Sequence, residues 1–174
     1  MSKARIVRQI SATGAAVATL VLAGPAPAQA ATAATPASAC QGICIVDART
    51  GAHPDFDRLV FDLHGTGLPR VESTTNTTGD YAAGGSGEER RLQIPGKSYL
   101  LLDISGEAHA LSSGLDAYST PAVQPVSLPS LKGVQLTSSG YEGHVTFGLS
   151  LGDYSRYQVS TLTGPNRVVV DIYH

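Results

Sequence analysis

The stretch "GAHPDFDR" places three side chains that could bind a ligand or transfer a proton within five positions: His53, Asp55 and Asp57. An imidazole next to carboxylates can act as an acid–base pair or supply ligands to a metal ion. Pro54 restricts the backbone here, and Asp in a turn with Gly and Pro commonly hydrogen-bonds its own backbone. We therefore predict a structural turn, and we keep His53 and Asp55 as candidate ligand-binding residues.

A second candidate pair, Tyr141 and Glu142, stands in "SGYEGHV" between two glycines. A tyrosine ring can stack on a ligand while its hydroxyl stays in water. Glu142 is interpreted first as a charged turn residue, with hydrogen bonding to a ligand as the alternative. Other tyrosines that we expect in or beside loops could serve in the same way: Tyr81, Tyr118, Tyr154 and Tyr157.

The sequence contains none of the common catalytic or zinc-binding motifs. Its five histidines show neither H-x-x-x-H nor H-x-x-E spacing, which argues against a zinc site. Its serines include no G-x-S-x-G elbow of the kind that exposes a nucleophile. We predict that the protein is not an enzyme and has no catalytic residue, no metal and no cofactor.

The segments "DRLVFDL" (57–63) and "NRVVVDI" (166–172) share one pattern, in which Arg, Val and Asp alternate with apolar residues. On a strand these two sets of residues face opposite ways. If the strands are antiparallel neighbours, Arg58 opposes Asp171 and Asp62 opposes Arg167, which gives two cross-strand ion pairs. The alternative is that the strands lie in two facing sheets and that each Arg finds another acid. Either arrangement predicts a structural role for these four residues.

The segments that must position these residues are short runs rich in β-branched and aromatic residues, separated by Gly, Pro, Asn and Ser. We expect 57–65 and 69–74 to form a hairpin, and 76–90 and 106–130 to be surface loops. Many short strands and no helical period predict an all-β sandwich or barrel. The predicted strands are 43–49, 57–65, 69–74, 91–94, 98–105, 133–139, 144–151, 156–162 and 166–173.

The first 30 residues have the features of a signal peptide. Three basic residues precede a short apolar run (10–23), and Ala28 and Ala30 fit a peptidase site. The run is short for a bilayer span, which takes about 20 residues. We predict a cleaved signal peptide over 1–30, a flexible Ala/Thr/Pro linker over 31–39 and one domain over 40–174. The protein is expected to be secreted, with no membrane span after cleavage.

Removal of residues 1–30 leaves nine Lys and Arg residues against fourteen Asp and Glu residues, a formal charge of −5. Such a chain has no electrostatic reason to bind nucleic acid or anionic lipid. In an oxidising compartment, Cys40 and Cys44 are expected to form a disulfide. Closing so short a loop stabilises the fold by about 2 kcal/mol, so the bond would fix the entry to the first strand.

Three segments resemble, in order, the AMIN-like domain of actinobacterial exported proteins: "ARTGAHPDFDRLVFDLHG" (48–65), "YEGHVTFGL" (141–149) and "GPNRVVVDIYH" (164–174). That family is similar in pattern to the AMIN modules that localise cell-wall amidases. The resemblance covers the whole domain over 40–174 and implies a β-sandwich in the cell envelope. It implies no established chemistry, and we expect this chain to lack the catalytic domain of an amidase.

These observations predict a non-enzymatic exported binding or localisation module. Its expected partner is cell-wall glycan or an envelope protein, which would associate it with the cell wall. The alternative is a protein-interaction or inhibitor module that contacts its partner through the loops 76–90 and 106–130.

Overall fold

A computed structural model describes residues 42–110 and 118–174. The predicted signal peptide, the linker and Cys40 lie outside the described residues, so the disulfide and the domain boundaries stay predictions. Within the described ranges the chain forms twelve β-strands and no helix. No helix there is long and apolar enough to cross a membrane.

The strands are β1 (Ile43–Ala52), β2 (Phe56–Gly65), β3 (Arg70–Asn76), β4 (Asp80–Ala82), β5 (Glu89–Arg91), β6 (Ser98–Ser105), β7 (Ala108–His109), β8 (Val123–Pro125), β9 (Leu131–Tyr141), β10 (His144–Leu151), β11 (Arg156–Leu162) and β12 (Arg167–Tyr173).

Two five-stranded sheets form the domain. Sheet A has the order β11-β12-β2-β1-β7, and sheet B has the order β3-β6-β10-β9-β8. All neighbours are antiparallel except β1 and β7. A third, two-stranded sheet joins β4 to β5 and is called the ribbon below. The all-β sandwich predicted from the alternating strands is thus confirmed.

The inner faces of the sheets make one apolar core. Phe61 from β2 meets Phe147 from β10, with ring centroids 4.3 Å apart. Along β10 four alternate apolar residues are all fully buried: Val145, Phe147, Leu149 and Leu151. Burial of this apolar surface is the main force that holds the sheets together.

The two repeated strands, β2 and β12, are antiparallel neighbours in sheet A. Arg58 stands opposite Asp171, and Val60 stands opposite Val169. The first of the two arrangements considered above is therefore the one observed. Although Val60 and Val169 lie on the outer face, they are buried, which is typical of apolar side chains under the stems of neighbouring arginines.

One expected ion pair is present and the other is not. Arg58 donates two hydrogen bonds to Asp171, at 2.7 and 2.8 Å. Asp62 stands opposite Arg167, as expected, but it accepts hydrogen bonds from Arg49 on the other side, at 2.7 and 3.0 Å. Arg167 instead donates to the backbone carbonyl of Pro165 at 3.3 Å. The expected Asp62–Arg167 pair is thus corrected to Arg49–Asp62, because β1 supplies a closer guanidinium.

Two expectations about connections were wrong. The segments 57–65 and 69–74 form no hairpin, because β2 lies in sheet A and β3 pairs with β6 in sheet B. The segment 76–90 is only partly a loop, since it contains β4 and the first two residues of β5. The segment 106–130 contains the short strands β7 and β8, and its residues 111–117 lie outside the described ranges.

Candidate binding surface

A groove of about 250 Å³ lies on the outer face of sheet B beside the ribbon. We call it the ribbon groove. Side chains from four strands of sheet B and from the ribbon line it, and they combine carboxylates, hydroxyls, an aliphatic side chain and a phenol ring. The principal ones are Glu72, Thr74, Tyr81, Leu101, Asp103, Thr137 and Thr146.

Strand register sets the order of these groups. Glu72 of β3 stands opposite Asp103 of β6, and Asp103 stands opposite Thr146 of β10. The Thr146 hydroxyl lies 2.6 Å from the Thr137 hydroxyl on β9, where the ladder shifts register. One row across the sheet therefore presents two carboxylates and two hydroxyls on the same face. Such a row can accept and donate hydrogen bonds along a polar ligand.

The like charges in this row have only weak partners. Asp103 lies 2.9 Å from the His144 ring, and Glu72 lies 3.0 Å from Arg70. The Arg70 and Glu72 side chains are 79% and 65% exposed, so that pair contributes little stability. Carboxylates directly opposite each other on neighbouring strands repel. The row is therefore better suited to a cationic or hydrogen-bonding ligand than to an anion.

The ribbon forms the wall of the groove because two strand glycines make room for the segment that follows it. A side chain at Gly148 would collide with Leu92, and one at Gly133 would collide with Ile94. The Ser150 hydroxyl donates to the Ile94 carbonyl at 2.6 Å. A glycine inside a strand commonly marks such a close approach.

Further contacts hold the ribbon at the rim. The Tyr81 hydroxyl lies 3.4 Å from the Gln135 amide, and the Gln135 side-chain oxygen accepts from the backbone of Gln93 at 2.9 Å. Asp80 accepts hydrogen bonds from Arg91 across the ribbon. These bonds hold the pKa of Asp80 below its usual value. Tyr81 is therefore placed beside the groove by its hydroxyl contact with Gln135 and by the ribbon that carries it.

A second depression, of about 410 Å³, lies at the tip of the ribbon, and we call it the tip pocket. Its lining includes Gly84, Ser86, Arg90, Ser138 and Tyr141, and it shares Thr137 with the ribbon groove. Tyr141 is 52% exposed, and the backbone of the glycine-rich tip passes close to its ring. The two depressions together put two tyrosine rings and several hydroxyls on one surface.

The structure separates the four ligand-binding candidates predicted from the sequence. Tyr141 belongs to the tip pocket. Glu142 and Gly143 form the two-residue connection between β9 and β10, and both have positive φ. That geometry is typical of a tight hairpin turn, which accounts for Glu142 as a turn residue.

His53 and Asp55 lie in the connection between β1 and β2 of sheet A. The His53 ring stacks on Phe56 with centroids 4.4 Å apart. The Asp55 carbonyl accepts from the backbone of His174 at 3.2 Å. A small cleft of about 160 Å³ near His53 is floored by Val60 and flanked by Arg49 and Arg58. Since both guanidiniums bond to acids, this cleft offers weaker polar chemistry than the ribbon groove.

Sequence reasoning missed most of the groove. Glu72, Asp103 and Thr146 stand on predicted strands, but they were not among the residues singled out from the sequence. The signal that could have found them is glycine inside two strands, at Gly133 and Gly148, which indicates that something covers the sheet there. No cluster of potential metal ligands occurs within 42–110 and 118–174.

The model of one protein family, the AMIN-like domain, matches residues 44–174. No curated protein and no solved structure gives a significant match. The family match covers both sheets except Ile43, the first residue of β1, and so includes β2 and β12, the strands that carry Arg58 and Asp171. The chain belongs to the AMIN-like domain family.

Proposed function

We propose that this protein is an exported, non-catalytic module that binds a component of the cell envelope, peptidoglycan or an envelope protein, through the ribbon groove and the tip pocket. Membership of the AMIN-like family supports a peptidoglycan-related binding role and an extracytoplasmic place. The finer assignment, to one surface of sheet B, is the proposal.

The observation that carries the proposal is the row of carboxylates and hydroxyls beside a tyrosine ring. A saccharide or peptide ligand needs hydrogen-bonding groups at fixed positions and an apolar surface to lie against. Glu72, Asp103 and Thr146 supply the first, and Tyr81 with Leu101 supplies the second. The surface is concave and fixed by the ribbon contacts, so little has to be ordered on binding.

Sedimentation with purified bacterial cell walls tests the proposal. We expect the full chain to be retained above an unrelated secreted protein, and Tyr81→Ala to lower the bound fraction about fivefold, the size expected for one aromatic contact. Ser160→Ala, on the outer face of sheet A, is the matched control and should bind like the unchanged protein. Equal retention of the unrelated protein and the full chain would count against the proposal.

The second candidate, a protein-interaction or inhibitor module, is favoured by one observation: the segment 76–90 lines both depressions. The same assay distinguishes a glycan partner from a protein partner when the walls are first treated with protease. Retention that survives the treatment supports a glycan partner, and retention that is lost supports an envelope protein.

A further inference from the structure

The two open sides of the sandwich differ in the length of their edge strands. On one side the sheets end in β7 and β8, which have two and three residues. On the other side they end in β11 and β3, which have seven residues each. Within the described residues, β3 has one strand neighbour, β6. A long edge strand presents a row of unpaired backbone groups to any other extended chain.

The edge strand β3 borders the ribbon groove directly. Glu72 and Thr74 face the groove, and both belong to β3. In the register with β6 they stand opposite Asp103 and Leu101. A chain that paired with β3 would therefore place alternate side chains next to the two carboxylates.

The other face of β3 has a different character. Val71 lies opposite the buried Ile104 and packs against the apolar core. Ser73 lies opposite Leu102, and its hydroxyl is 3.4 Å from the Tyr157 hydroxyl of sheet A. A chain added at this edge would thus meet acids on one face and an apolar margin on the other.

We propose that β3 accepts an extended polypeptide as an additional strand, and that this partner alternates basic with apolar residues. Its backbone pairs with the open edge, its basic side chains face Glu72 and Asp103, and its apolar side chains extend the margin beside Val71. The inference rests on the proposed function, because it names a polypeptide partner for the same surface.

Charge complementarity selects this partner over an anionic chain or a second copy. Arg70 is the basic group of β3 that a partner would meet, and its pair with Glu72 is largely exposed and exchangeable. A second copy pairing β3 with β3 would bring one base, Arg70, and one acid, Glu72, so it lacks the excess of basic groups that a row of two carboxylates favours. Basic side chains relieve the repulsion between Glu72 and Asp103, whereas acidic ones add to it.

The test uses the full chain and a labelled synthetic seven-residue peptide, Thr-Val-Lys-Val-Lys-Val-Thr, with fluorescence anisotropy as the measurement. We expect it to bind at least tenfold more tightly than the same peptide with Glu in place of both Lys. Equal affinity of the two peptides would overturn the proposal.

Backbone methylation tests the strand pairing on the unchanged protein, so that no variant has to fold. One peptide is N-methylated at its second and fourth residues, and its isomer at its third and fifth. Alternate N–H groups of an added strand point toward β3, so one isomer should lose binding and the other should keep it. Binding of both isomers like the parent peptide, or of neither, would overturn strand addition.

Charge-neutral variants locate the basic side chains. Glu72→Gln with Asp103→Asn should weaken the lysine peptide about tenfold and leave the glutamate peptide no weaker than before. Asp153→Asn, an exposed acid that pairs with Lys97, is the control and should leave affinity unchanged. An unchanged affinity of the double variant would contradict the assignment to this row.

The peptide assays and the wall sedimentation fail independently. A chain that sediments with protease-treated walls but binds no peptide keeps the proposed function and loses this inference. A chain that binds the lysine peptide through one N-methyl isomer but ignores walls keeps strand addition and loses the glycan assignment.

Discussion

On the outer face of sheet A the charged side chains bond to one another, whereas on the outer face of sheet B they surround an open groove. Arg58 with Asp171 and Arg49 with Asp62 each make two hydrogen bonds between charged groups. Glu72 and Asp103 stand side by side with partners that are partly exposed. The difference supports a structural role for the first face and, under the proposed function, a binding role for the second.

The largest loss of stability should come from adding a side chain where a strand glycine makes room for the segment after the ribbon. Gly148→Ala would bring a methyl group within 2.3 Å of Leu92, and the resulting shift of the ribbon should cost about 1–3 kcal/mol. Gly51→Ala on the outer face of sheet A meets nothing within 4 Å, so we expect no loss of stability. Urea unfolding of both variants measures the contrast, and equal destabilisation would show that the ribbon is not held as described.

A smaller loss of stability is expected when a charged residue is replaced, and it should be larger on the outer face of sheet A than on that of sheet B. Arg58→Ala leaves the half-buried Asp171 without its partner, which should cost about 1–2 kcal/mol. Asp103→Asn removes one of two repelling carboxylates, and the free energy of unfolding should change by about 0.5 kcal/mol or less. If chemical denaturation gives equal losses for both, the assignment of scaffold to sheet A is wrong.

The smallest effect is a pH dependence in sheet A. Hydrogen bonds from Arg49 hold the pKa of Asp62 below its usual value, and partial burial acts in the opposite direction. A carboxylate with a depressed pKa stabilises the fold above its unfolded pKa of about 3.9, and this stabilisation is lost as pH falls through the folded pKa.

The stability difference between the unchanged protein and Asp62→Asn should therefore be constant near neutral pH and shrink in acid. Thermal unfolding of both proteins between neutral pH and about pH 3 measures it. A difference that grows as pH falls would contradict the Arg49–Asp62 pair.

The sandwich could be predicted because period-two patterns report directly on which face of a strand is buried. The shared pattern gave the register of β2 against β12 on the condition that the strands are antiparallel neighbours, and the structure shows that they are. Asp62 took a different partner because the strands on both sides of β2 carry an Arg within reach, and pattern alone does not rank Arg49 against Arg167. The hairpin between 57–65 and 69–74 was wrong because a short Gly-rich connection can also cross from one sheet to the other.

The candidate site was harder to predict because it depends on long-range packing. Tyr141 was singled out by its type and its place beside glycines, and it lies in the tip pocket. Glu72 and Asp103 are 31 positions apart and become neighbours only through the register of β3 with β6. His53 looked chemically promising in the sequence, but its ring stacks on Phe56 in a turn.

The attachment of the ribbon has a consequence for how this fold can diversify. Residues 79–91 belong to neither of the two sandwich sheets. The segment that follows them packs Leu92 against Gly148 and Ile94 against Gly133. Lengthening such an excursion costs little closure entropy, because the cost grows only with the logarithm of its length. We therefore expect changes in the length of the ribbon to cost the fold little stability, so that this wall of the candidate surface can vary while the sheets beneath keep their sequence.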